Sequence, residues 1–146
     1  VDVGGKGTGV TVDENYAYMS LDTANEGLVL NGTANIGIAS SGTYTSPSFD
    51  TGSEDTNYNY LDWEINEVSG SEVTFQIRTA STAAGLTTAT WVGSDGTAST
   101  SYDTPPQVVT LSADRTGQRY VQVQATITSN GVSTSSVESF TLDYQP

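Results

Sequence analysis

Few side chains of this chain are suited to catalytic chemistry. It has no histidine and no cysteine, which removes the most common general base, the thiolate nucleophile and the usual transition-metal ligands. Asp62 and Glu64 are spaced so that two carboxylates share one strand face, an arrangement that a glycosidase could use. The same spacing is typical of two solvated residues on an outer strand face. We therefore predict that the protein is not an enzyme.

A cluster of carboxylates lies in a predicted turn. The segment Asp50-Thr51-Gly52-Ser53-Glu54-Asp55 combines acidic side chains with flexible backbone carbonyls. Calcium takes about six to eight oxygen ligands of these kinds, so Asp50, Glu54 and Asp55 are predicted ligands of a structural Ca²⁺. No EF-hand spacing is present, and solvated loop charges are the alternative interpretation.

Aromatic side chains indicate a second kind of site, one for sugars. The apolar face of a sugar stacks on an aromatic ring, while flanking amide, carboxylate or guanidinium groups bind its hydroxyls. Trp63 alternates in phase with Leu61 and Ile65, which predicts a core position. Trp91 has no such pattern, so it could be either a buried core residue or an exposed ring on which a sugar stacks. For Arg78 the alternative to ligand binding is an ion pair with an acidic neighbour. The predicted ligand-binding residues are Trp91, Tyr102, Tyr58, Tyr60 and Arg78.

The charge balance restricts the partners. Seventeen acidic residues against four basic ones give a formal net charge of −13. Such a surface repels phosphate backbones and anionic lipids, so we predict neither nucleic-acid binding nor membrane insertion. No apolar run approaches the length that spans a bilayer. The composition is typical of secreted or cell-surface proteins.

The elements that must position these residues are β-strands. Apolar and polar residues alternate with period two in Leu61–Ile65, Val73–Ile77, Val121–Ile127 and Phe140–Tyr144, which indicates strands with one face in a core. Weaker strands are predicted at Tyr16–Ser20, Gly27–Asn31, Ala34–Ile38, Thr43–Phe49, Thr87–Val92 and Val108–Leu111. Many short strands without a long helix predict an all-β fold, a two-sheet antiparallel β-sandwich of the jelly-roll type.

The strand pattern is absent in two regions. Glycine is dense in the first residues and costs backbone entropy in a strand, which predicts a flexible Gly-rich arm over residues 1–12 and a single sandwich domain over residues 13–146. The stretch from Thr79 to Pro106, which contains Trp91 and Tyr102, is predicted to be a functional or poorly ordered loop.

Several stretches resemble a known kind of extracellular module. They are Gly42–Gly52, Leu61-Asp62-Trp63, Val73–Thr79 and Gly117–Ile127. They are similar to jelly-roll modules of the galactose-binding or discoidin-like type, which are appended to bacterial and archaeal extracellular surface proteins. The resemblance covers about residues 27–146 and implies sugar binding, adhesion or surface assembly. In modules of this type a structural Ca²⁺ often lies near the chain ends with a ligand on the last strand, and Asp143 matches that position.

Two functions are predicted. The first is a non-catalytic extracellular binding module, for carbohydrate or adhesion, whose partner at a cell or particle surface is a glycan or surface polymer. The alternative is a self-assembling structural subunit of an extracellular filament, pilus, sheath or virion appendage, whose partners are copies of itself. In that case Val10-Thr11-Val12 of the arm is the donor strand for an open sheet edge of a neighbouring copy.

Overall fold

The computed structural model describes residues 7–13, 16–21, 27–31, 39–113 and 115–146. The chain divides into two compact units, Val1–Gly37 and Ile38–Pro146. The first unit is a three-stranded antiparallel sheet with the strand order β1-β2-β3. Its strands are β1 (Gly7–Asp13), β2 (Tyr16–Leu21) and β3 (Gly27–Asn31).

The predicted flexible arm over residues 1–12 and domain over 13–146 stay a prediction. Residues from Gly7 onward form a strand whose partner is β2, with Val10 opposite Met19 and Val12 opposite Ala17. Backbone hydrogen bonds across this pair offset the entropy that the glycines lose. The division between the two compact units follows Gly37.

The second unit is an antiparallel β-sandwich, which confirms the predicted all-β fold; the jelly-roll topology stays a prediction. The four-stranded sheet consists of β4 (Ser41–Thr45), β5 (Phe49–Asp50), β7 (Glu72–Ala80) and β9 (Tyr120–Thr128). In it β9 lies between β7 on one side and β4 and β5 on the other. The three-stranded sheet consists of β6 (Asn57–Asn66), β8 (Gln107–Val108) and β10 (Ser136–Gln145), in the order β10-β6-β8.

Alternation along the strands builds the core between these two sheets. In β7 the side chains of Val73, Phe75 and Ile77 are buried, and the residues between them are half-exposed. Trp63 of β6 is 5% exposed, as its phase predicted, and its ring lies 4.7 Å from that of Phe75 between centroids. Burial of these apolar surfaces stabilises the sandwich by roughly 25 cal/mol for each Å² removed from water.

Some of the weaker strand predictions differ from the structure. The predicted strand Thr43–Phe49 divides into β4 and β5 around Pro47, which lacks the N–H that an unbroken ladder needs. Within the predicted strand Thr87–Val92, only Val92 forms a β-bridge, and a 3₁₀ helix (Ala84–Thr87) overlaps its start. The predicted strand Ala34–Ile38 lies outside the described residues. No membrane-spanning helix occurs in the described part of the chain.

The stretch from Thr79 to Pro106 is an ordered part of the sandwich. Val92 exchanges backbone hydrogen bonds of 2.8 and 3.0 Å with Ile77, and Tyr102 exchanges bonds of 2.8 and 2.9 Å with Phe75. Leu86, Val92 and Tyr102 are each at most 2% exposed. The loop therefore extends the four-stranded sheet beyond β7 and contributes core side chains.

Candidate functional site

Two of the rings predicted to bind sugar lie in the core. Tyr102 is 0% exposed and Tyr58 is 7% exposed. The Tyr58 hydroxyl donates a 2.7 Å hydrogen bond to the carbonyl oxygen of Gln118. Burial raises the pKa of Tyr58 above its usual range and that of Tyr102 to about 12, so both hydroxyls stay neutral. Neither ring has an exposed face for stacking, and we leave both out of the site.

The other predicted rings lie on different sheets. Tyr60 is 41% exposed on β6, in the three-stranded sheet. Trp91 lies beside β7 of the four-stranded sheet, where it stacks against the Arg78 side chain. The structure therefore brings Trp91 together with Arg78, and it does not bring Tyr60 to them.

Arg78 is held in a defined plane. Its guanidinium carbon lies 4.4 Å from the centroid of the Trp91 ring. Its Nε and Nη2 atoms donate hydrogen bonds of 2.9 and 2.6 Å to Oε1 of Gln122, the residue opposite it on β9. Gln122 in turn donates a 2.8 Å bond from Nε2 to the carbonyl oxygen of Ser46. Two side chains, Trp91 and Gln122, thus fix one cation on the outer surface of the sheet.

The surroundings of Arg78 are polar and uncharged. Strand alternation places amides and hydroxyls next to Arg78 on the outward side of β7 and β9, and the carboxylate on that side, Glu72, lies at the far end of β7. Gln76 donates a 2.7 Å bond to the Thr100 carbonyl oxygen, and Gln124 donates a 3.2 Å bond to Oγ1 of Thr45. We call this surface the polar face. It consists of Thr74, Gln76, Arg78, Gln122, Gln124 and Thr126, with Trp91 at its margin.

Asp50, a predicted calcium ligand, is bound by arginine. Arg119 donates a 2.7 Å bond from Nε to Oδ1 of Asp50 and a 2.9 Å bond from Nη2 to Oδ2. The backbone N–H of Gly52 donates a further 2.9 Å bond to Oδ1. These donors hold the pKa of Asp50 well below its usual range. Both carboxylate oxygens are thus engaged without a metal.

The other predicted metal ligands are dispersed. Within the part of the chain that the structure describes, no three acidic residues form a group that could hold a metal ion. Glu54 and Asp55 are exposed at the turn after Asp50, and Asp143 on β10 accepts a hydrogen bond from Nδ2 of Asn59. The calcium site therefore stays a prediction.

We expect millimolar Ca²⁺ to raise the melting temperature relative to EDTA if that prediction holds, because a ligand that binds only the native state stabilises it. The rise should grow with Ca²⁺ concentration and disappear in Asp55→Asn. Glu138→Asn, which removes a carboxylate far along the chain from the cluster, is the control and should retain the rise. Identical melting curves in EDTA and Ca²⁺ would contradict the prediction.

A second feature is a cleft along one side of the sandwich. Among the described strands, β4 and β5 pair only with β9, and β10 pairs only with β6. A cleft of about 370 Å³ lies between these edges, next to a second space of about 660 Å³, and Phe140 lines both. We call the combined space the edge cleft. Its lining includes Tyr44, Ser46–Phe49, Val121–Val123, Ala125, Ile127 and Thr134–Phe140, Leu142 and Tyr144.

The floor of the edge cleft is the core itself. Val121, Val123 and Ala125 of β9 are 2–4% exposed, yet they line the cleft. At its rim Tyr44 and Phe49 are 53% and 49% exposed. The sandwich therefore presents apolar core side chains between two unpaired sheet edges, an arrangement that fits an extended polypeptide.

Sequence reasoning did not identify this cleft. Period-two alternation predicts which side chains of a strand point inward, but it does not predict whether the edges of two sheets meet. One signal was present, because Pro47 inside a strand-like stretch is typical of an edge strand.

No family model, curated protein or solved structure matches this chain. The resemblance to discoidin-like modules therefore stays a prediction, and function must be argued from the two surfaces described above.

Proposed function

We propose that the protein is a non-catalytic extracellular assembly subunit whose sandwich accepts an extended segment of a neighbouring copy in the edge cleft. The observation that supports this is the apolar edge cleft between two unpaired sheet edges. Strand addition uses both features, because main-chain hydrogen bonds form along the edge while alternate side chains enter the cleft.

The acceptor stretch has the pattern that strand addition requires. Between two register shifts, Ser139–Asp143 of β10 pairs regularly with β6. Phe140 and Leu142 of this stretch line the cleft, and Thr141 between them is exposed. An incoming strand would place every second side chain between β10 and β4, where it meets apolar residues.

The same edges restrict what can pair with them. Pro47 interrupts the β4–β5 edge and offers no N–H, and the register shift at Val137 and Ser139 distorts one end of β10. Such features limit indiscriminate edge-to-edge pairing. Pairing is then confined to a short stretch whose side-chain pockets select the incoming segment.

The segment that we propose for the cleft is the N-terminal strand of another copy. Gly7–Val12 carries no charge, so it avoids the repulsion that the net charge of −13 imposes on acidic segments. Val10 and Val12 alternate with Thr11, as a cleft-filling strand requires. In the structure these residues pair with β2, so donation exchanges one β partner for another.

Removing the exposed rings at the rim should weaken assembly. We expect Tyr44→Ser and Phe49→Ser each to raise the concentration needed for assembly about 10- to 100-fold, because an aromatic side chain buried in an interface contributes about 1–3 kcal/mol. Light scattering and analytical ultracentrifugation measure this. Both rings are half-exposed, so the melting temperature should change little.

Tyr60→Ser is the matched control, since Tyr60 is a similarly exposed ring that does not line the cleft. It should assemble as the wild type does.

On the donor side, Val10→Asp should block assembly more than Thr11→Asp, which adds the same charge one position away. A wild-type protein that stays monomeric at high concentration would contradict the proposal, and so would equal losses from Tyr60→Ser and Tyr44→Ser.

The polar face supports a second function, the binding of a glycan. A half-buried indole beside fixed amide and guanidinium groups offers apolar contact and hydrogen bonds on one surface, as sugars require. This surface lies on the outer side of the four-stranded sheet, and the apolar floor of the edge cleft lies on the inner side of β9. Gln122 is at the border and belongs to both surfaces. Titration with glycan oligomers, followed by tryptophan fluorescence, tests glycan binding.

A further inference from the structure

We infer that the polar face binds an acidic sugar, and that Arg78 recognises the carboxylate of a uronate residue. This inference rests on the glycan-binding function proposed above and names the class of glycan. It does not depend on assembly through the edge cleft.

Among the described residues, Arg78 forms no ion pair with an acidic residue. The chain contains 17 acidic and four basic residues, so a carboxylate partner for each arginine would be easy to supply. Within the described residues the salt bridge is that of Arg119 with Asp50. The partners of Arg78 there are an amide oxygen and an aromatic ring, neither of which neutralises its charge.

The N–H groups of Arg78 that do not bond to Gln122 lie together at one end of its guanidinium. Gln122 occupies the Nε side of the guanidinium and one hydrogen of Nη2. No hydrogen bond from Nη1 is recorded in the described part of the chain. Nη1 and the second hydrogen of Nη2 form the end of the guanidinium fork, which matches the two oxygens of a carboxylate. Arg78 as a whole is half-exposed, and the proposal places the carboxylate of the ligand at this end.

The guanidinium of Arg78 is already held in place before a ligand binds. The indole of Trp91 lies on one side of the guanidinium plane, and Gln122 is itself tied to the Ser46 carbonyl. A side chain that is already fixed loses little conformational entropy when a ligand binds, so more of the interaction energy appears as affinity. Neutral Gln76, Gln124 and Thr45 surround the cation, and these groups suit sugar hydroxyls.

Asp95, in the same loop as Trp91, is engaged by hydroxyl groups of that loop. Asp95 directs Oδ1 to Thr97 and Thr100, which donate hydrogen bonds of 2.8 and 2.6 Å. The net charge of −13 still repels an anionic ligand at long range. At about 0.15 M salt the screening length is roughly 8 Å. Long-range repulsion is then weak, and the direct contact between the Arg78 guanidinium and the carboxylate determines the affinity.

The test uses the full chain at about 0.15 M salt and two probes, an oligogalacturonate and a neutral galactose oligomer of equal length. We expect the wild type to bind the uronate oligomer at least tenfold more tightly. Arg78→Gln should lose at least tenfold more affinity for the uronate than for the neutral sugar, because the neutral sugar loses a hydrogen bond and the uronate also loses its charge partner. Arg78→Lys should recover little of the loss, because an ammonium group cannot bind a carboxylate through a planar fork.

Arg119→Gln is the matched control, since it removes the same charge from an arginine that is already ion-paired. It should leave uronate affinity unchanged. Equal loss in Arg119→Gln would attribute binding to overall charge and overturn the inference. Equal affinity for polyglutamate would show that the site selects carboxylates without sugar, which also overturns it.

Two further outcomes separate this inference from the function on which it rests. Binding of the neutral oligomer that equals or exceeds binding of the uronate would overturn the inference and leave glycan binding standing. Binding of neither probe would overturn both. Melting curves of each variant, expected to match the wild type, exclude unfolding as the cause of any loss.

Discussion

Phe75→Ala is expected to lower the free energy of unfolding by about 3–5 kcal/mol. Phe75 is 1% exposed at the middle of β7. Its ring lies 4.7 Å from Trp63 and 6.2 Å from Phe140 between centroids, so it joins the two sheets. Removing the ring leaves a cavity that the surrounding backbone cannot close, because Phe75 exchanges main-chain hydrogen bonds with Tyr102 while its strand is paired with β9 on the other side.

Chemical denaturation of the wild type and the variant measures this loss. Thr74→Ala, one residue away on the polar face, is the control and should cost less than about 1 kcal/mol. If both variants lost a comparable free energy of unfolding, the inward direction of the Phe75 side chain would not explain its contribution to stability. A loss below about 1 kcal/mol in Phe75→Ala would contradict its place at the centre of the core.

Gly93→Ala is expected to cost at least about 3 kcal/mol, because overpacking against backbone cannot be relieved by rotating a side chain. A Cβ on Gly93 would lie 2.1 Å from the carbonyl carbon of Thr100 and 2.3 Å from the nitrogen of Ser101. The segment from Gly93 to Thr100 would have to open. That segment is closed by a 2.9 Å bond from the Gly93 nitrogen to the Thr97 carbonyl oxygen.

The effect should reach the polar face as well. Gln76 donates to the Thr100 carbonyl oxygen, so displacement of Thr100 changes the surface beside Arg78. Gly42→Ala is the control, since a Cβ there would meet no atom within 4 Å, and its unfolding free energy should change by less than about 1 kcal/mol. If Gly93→Ala melts and denatures as the wild type does, the close approach of the two backbone segments is wrong.

The sequence alone determined the four strongly alternating strands and their inward faces. Val73, Phe75 and Ile77 alternate with polar residues, and this local pattern was sufficient to place them and Trp63 in the core. Alternation is a property of the strand itself, since successive side chains point to opposite sides whatever the strand pairs with. Tyr102 lies in a loop and gives no periodic signal, so its burial could not be predicted from the sequence.

The tertiary structure decided which side chains meet. Asp50 was predicted as a metal ligand, but its partner is Arg119, 69 positions away in the sequence. Arg78 meets Gln122 across 44 positions because β7 and β9 pair in a particular register. The edge cleft likewise exists because β10 and β4 lie at the edges of different sheets. Strand order and register depend on packing between distant segments, and no local pattern of residues encodes them.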